Sequence, residues 1–137
     1  MFMIWIIGLL MFLAGCMNGV MDTIKHHWNE SVLSTIHSYP KLYRYFHEQG
    51  WKNAYIHGWR YGVRNIPQPW YVWRGFLDGW HGAKSVMLWC LAMAIGLAVL
   101  IPDKTYIYVI YLIFGSRLLF GVGFHLMYNV VLTKKEQ

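Results

Sequence analysis

The chain has 137 residues, of which 57% are hydrophobic, 18% aromatic and 13% charged, and its formal net charge is +6. One domain of this length and apolarity is excluded from the ordinary soluble class and belongs with integral membrane proteins. The positive balance is explained by loop charges and anionic headgroups, so it does not read as a nucleic-acid footprint.

The expected fold is all-α: a single membrane domain, 1–137, folded as a three-helix bundle with spans at about 2–21, 82–101 and 105–124. Met1 to Val20 carries no charge and is long enough to cross a bilayer. Leu13-Ala14-Gly15-Cys16 looks like a lipoprotein cleavage site, but no Lys or Arg precedes the apolar run, so the segment reads as a span rather than a leader. Asn18, Asp22, His26 and Glu30 recur every four residues and stack on one helical stripe. That stripe predicts a first helix that continues past the membrane and stops by Pro40.

From about 38 to 70 the character changes. Tyr39, Tyr43, Tyr45, Trp51, Tyr55, Trp59, Tyr61 and Trp70 alternate with cations, and Gly50, Gly58, Gly62, Pro67 and Pro69 break the pattern. Such mixing of Trp and Tyr with cations suits an interfacial lid at headgroup level, and His37, His47 and His57 read as ordinary members of it. The second helix is expected to begin near Pro69 or Trp70 and run to Ile101. Pro102 and Asp103 turn the chain into the third helix, which starts near Thr105 and reaches His125. Cys16 and Cys90 fall in different spans and read as small packing residues. Lys25, Lys41, Arg44, Lys52, Arg60, Arg64 and Arg74 lie between the first two spans and Lys134 and Lys135 follow the third, whereas the opposite side offers only Lys104. This asymmetry predicts a multi-pass protein of the cell inner membrane, N-terminus out and C-terminus in.

A down, up, down path brings Asp22, His26, Asp78, His81 and His125 to one depth, the cytoplasmic end. Asp78 and His81 are three residues apart, the carboxylate and imidazole spacing with which helix bundles chelate a metal, and Asp22 and His26 are four apart. His27 is a spare imidazole, and Tyr128 and Asn129 follow His125 by one turn. These ligands suit a divalent ion, Zn, Fe or Mn. The competing reading is plain: an Asp or His at a helix end serves as a cap or a headgroup contact, and Asp78 with Arg74 forms an ion pair. Arg117 lies deeper on the third helix, where an ionised side chain must be paired, and is expected to point inward toward Asp22 or Asp78. Gly115, Gly121, Gly123 and Ser116 offer that helix a small-residue packing surface. Phosphate-binding glycine loops, nucleophile elbows and Cys-x-x-Cys pairs are absent from the sequence, and His26-His27 only faintly echoes the His boxes of membrane desaturases.

The pieces Asn18-Gly19-Val20-Met21-Asp22-Thr23, Trp51-Lys52-Asn53 with Tyr55 and Gly58, Asp78-Gly79-Trp80-His81, and Gly123-Phe124-His125-Leu126-Met127-Tyr128 resemble a group of small bacterial membrane proteins of unassigned function. In that group the second-helix motif reads Thr-Asp-Ala-Trp-His and the third Phe-Glu-Leu-Phe-Tyr with an Arg upstream; this chain departs at Leu77 and Gly79. The resemblance implies that Asp22, Asp78, His81 and Arg117 share a polar centre and that the position of His125 accepts Glu, an exchange a metal ligand tolerates.

Two functions follow. One is a membrane-embedded, metal-dependent hydrolase acting on a lipid or amphiphile at the cytoplasmic interface, with a metal-bound water as nucleophile, Asp78 in the site, and Arg117, Lys84 or Arg74 holding an anionic group. The other is a non-catalytic small membrane subunit or holin-like protein whose polar cluster fixes helix packing. The bilayer is the expected partner in both, and a homo-oligomer is compatible with either.

Overall fold

The computed structural model describes residues 2–39, 43, 46, 47, 79–101 and 106–134. Within them the chain is helical, with one isolated backbone bridge and no strand. Three helices are long and apolar enough to cross a membrane: Phe2–His26, Gly79–Val99 and Tyr108–Val131. The expected start of the second helix at Pro69 or Trp70, and most of the aromatic lid, lie outside the described residues.

The first helix ends at His26, earlier than the four-residue stripe predicts. The backbone of His27 leaves helical geometry at φ −129°, ψ 29°, and two tight 3₁₀ turns follow, Trp28–Glu30 and Val32–Ser38. Short hydroxyl side chains explain the change. Ser31 Oγ donates to Trp28 O at 2.7 Å, Ser34 Oγ to Ser31 O at 2.9 Å and Thr35 Oγ1 to Val32 O at 2.7 Å. Each satisfies a carbonyl three residues back and so favours the tighter spacing over a continued α-helix. Glu30 therefore leaves the stripe of Asn18, Asp22 and His26.

The third helix is longer than expected and not uniform. Tyr106–Ile110 leads into a π turn over Tyr111–Gly115, an α segment over Ser116–His125, and a second π turn over Leu126–Val131. His125 thus lies six residues before the end of the span, not at it.

Packing follows small residues. The first helix lies between the other two and packs on both. Its contact with the third helix is a seam of glycines: a Cβ on Gly15 would strike the Phe120 carbonyl, one on Gly123 the Phe12 carbonyl, and one on Gly19 would come within 3.0 Å of Phe124 O. Gly15 and Gly19 form a Gly-x-x-x-Gly pair, the spacing that brings membrane helices into backbone contact. On the second helix every buried residue is also small: Gly79, Gly82, Ala83, Cys90 and Ala94. Large apolar side chains instead point outward, among them Trp5, Leu9, Trp89, Ile95, Phe114 and Leu118. This inversion of the soluble pattern is what a hydrocarbon solvent permits, because burying Leu against lipid or against protein is nearly equivalent.

Two apolar clusters mark the ends. Ile7, Ala94 and Ile101 gather Tyr108 and Leu112 at one end; Val20, Ile24, Ala83 and Leu132 gather Trp80, Phe46 and Met127 at the other. The down, up, down order of the helices therefore holds, and the ends of the first and third helices and the start of the second share one end of the molecule.

Candidate functional site

That shared end is where the polar residues collect, and its best-built feature is a clasp between the exits of the first and third helices. Ser31 and Thr133 form the antiparallel bridge; Val32 N donates to Leu132 O at 2.8 Å and Lys134 N to Glu30 O at 2.9 Å. Lys134 Nζ donates to Asn29 O at 2.6 Å, and Thr133 Oγ1 to Tyr128 O at 2.6 Å. Beneath it Trp28 is buried, with the rings of Tyr43 and His47 edge-on at 5.7 and 5.3 Å. His27 Nδ1 pairs with Glu30 Oε2 at 3.1 Å, and the His27 ring meets Tyr128 edge-on at 5.0 Å.

The candidate ligands are distributed differently from the expectation. Asp22 is half-buried and His26 exposed; His81 is half-buried with its ring 5.0 Å from that of Trp80; His125 is exposed and shares a hydrogen bond of 2.9 Å with Asn129 Nδ2 through its Nδ1. Asp78 and Arg74 lie outside the described residues. Among the described residues, no three His, Cys, Asp or Glu side chains come together as a metal would require. The imidazole that does reach the third helix is His27, the one set aside as spare.

Further placements differ from the sequence expectation. Arg117 does not point inward. It is exposed, with its Cζ 5.8 Å from the Phe120 ring, and it lines an open groove with Phe114, Leu118, Gly121, Val122 and His125. The physical reason is the phase of the helix: Ser116 and Gly123 are the buried residues that face the first helix, and each residue turns the direction by about 100°. Arg117, one step from Ser116, is turned about a quarter-turn to the side of the seam, and His125, two steps from Gly123, faces away from it. Gly121, assigned to the packing surface, has nothing within 4 Å of where its Cβ would stand, and Gly115 meets only the ring of Tyr111. Lys84, suggested as an anion hold, is exposed with Nζ 5.0 Å above the Trp80 ring, a cation–π contact.

The clasp and the Gly15–Gly19 pair were missed by the sequence reading. The second had a usable signal in its spacing. The first had none, since Ser31, Thr133 and Lys134 are ordinary polar residues about a hundred positions apart. Comparison with family models, with curated proteins and with solved structures gives no match to this chain.

Proposed function

We propose that the protein is a non-catalytic subunit of a membrane assembly, a multi-pass protein of the inner membrane with its N-terminus out and the clasped end in the cytoplasm. The observation that supports this most is the outward direction of Arg117 and His125: polar groups within a span that turn away from their own chain are suited to a partner rather than to an internal reaction centre. The small-residue seams and the clasp give the presenting helix a fixed orientation, which recognition within a bilayer needs.

The competing reading keeps the chelate spacing of Asp78 and His81 and makes the protein a metal-dependent hydrolase of an amphiphile, with Asp22 as a third ligand. Elemental analysis separates the two. Full-length protein purified in detergent after exposure to Zn, Fe and Mn is expected to retain far less than one ion per chain, with the stability of His81→Ala unchanged by adding metal. One ion per chain, lost in both His81→Ala and Asp78→Ala, would overturn the assembly reading.

A further inference from the structure

Arg117 is nine residues beyond Tyr108 and fourteen before Val131, the bounds of the third apolar span. About 14 Å of helix separates it from one end and about 21 Å from the other. An ionised side chain at such depth is rare unless it is paired. Arg117 is exposed, and among the described residues its charge meets only the face of Phe120, at a distance near the limit of a useful cation–π contact.

Among the described residues, no acid answers it. The stretches 79–102 and 104–135 contain no Asp or Glu, and the first helix contains only Asp22, four residues before its end. Glu30 is engaged by His27. A second copy docked in parallel on the same face would bring guanidinium against guanidinium and no carboxylate at that depth. The face is otherwise prepared for a helix. Phe114, Leu118, Gly121, Val122 and His125 recur at spacings of three and four, and bare Gly121, one turn from Arg117, permits close backbone approach.

Resting on the assembly reading above, we propose that this face docks one membrane-spanning helix of a different protein, which carries an Asp or Glu near mid-membrane and receives the Arg117 guanidinium in a charge-assisted, bidentate pair.

The test uses the full chain, donor-labelled, in phosphatidylcholine vesicles, with acceptor-labelled synthetic polyleucine helices as probes. One probe has Asp at its centre, one Leu at its centre, and one Asp displaced by two turns. The central-Asp probe is expected to associate at about tenfold lower peptide-to-lipid ratio than the other two. Arg117→Leu should abolish that preference, Arg117→Lys retain part of it, and Gly121→Leu weaken it while helical circular dichroism stays unchanged. Equal association of all three probes overturns the proposal, as does a preference that survives Arg117→Leu. Loss of the preference when phosphatidylglycerol is added assigns Arg117 to a lipid headgroup, and energy transfer between two labelled copies that Gly121→Leu removes assigns the face to self-association; either result also overturns it. Metal content is measured on the same sample. Metal-free protein without an Asp preference defeats this inference alone, whereas stoichiometric metal defeats the assembly reading itself.

Discussion

Arg117 and Gly121, one turn apart on an open face, have opposite costs for the isolated chain. The arginine is a liability there: an unpaired cation near the centre of a span opposes insertion by about 2.5–3.5 kcal/mol on translocon scales. Arg117→Leu should therefore raise the inserted fraction of the third helix in a glycosylation-mapping assay in microsomes, and an unchanged fraction would mean that the charge is already compensated within the chain. A residue that costs stability where nothing in the described chain uses it is best understood through what binds there. The same logic runs in reverse for His27. Its hydrogen bond with Glu30 and its edge contact with Tyr128 give it structural employment, so it has no need of a metal to explain its place.

At the scale of the elements, the three helices of membrane-crossing length were legible because nearly uncharged runs of about twenty residues mark them. The direction each helix faces was not. The third helix is apolar almost all round, so no hydrophobic stripe marks a buried side, and the polar residues Arg117 and His125 invited an inward assignment. What sets the phase is size: Gly123 admits the backbone of the first helix and Ser116, seven residues before it, is buried, while Gly115 and Gly121 do not touch that backbone. The end of the first helix was misread for a different reason, since the four-residue stripe through Glu30 ignored the hydroxyls of Ser31, Ser34 and Thr35. The seam is open to a direct comparison. Gly15→Ala and Gly123→Ala, whose new methyl groups would meet backbone carbonyls, should each destabilise the protein by about 1–3 kcal/mol in a detergent or denaturant titration. Gly121→Ala, facing open space, should be neutral or stabilising by a few tenths of a kcal/mol through helix propensity. Equal effects at all three positions would show that the seam is not where the packing energy lies.

For the whole molecule, the meeting of three helix ends was legible, whereas the direction of their polar side chains was not. The end where the first helix finishes, the second begins and the third finishes was correctly identified from the alternation of spans. Among the described residues Asp22, His26, His81 and His125 do not gather as metal ligands, and Asp78 lies outside them; depth along a helix is read from sequence far more readily than direction around it. Orientation rests on the seven cations between Lys25 and Arg74. An impermeant maleimide applied from outside should label Phe2→Cys and not Glu136→Cys, and the reverse pattern would turn the clasped end to the other side of the membrane.

The central place of the first helix bears on how the protein is made. Each later helix packs chiefly on an element synthesised before it, so in the proposed membrane setting the second helix would find its docking side present on entering the bilayer, and so would the third. In that setting neither would wait, unpaired among lipids, for a partner still to emerge from the ribosome. An order of addition with the common partner first lets every step of biogenesis end in a packed product, and a chain built with the same three helices in rotated order would lose that advantage.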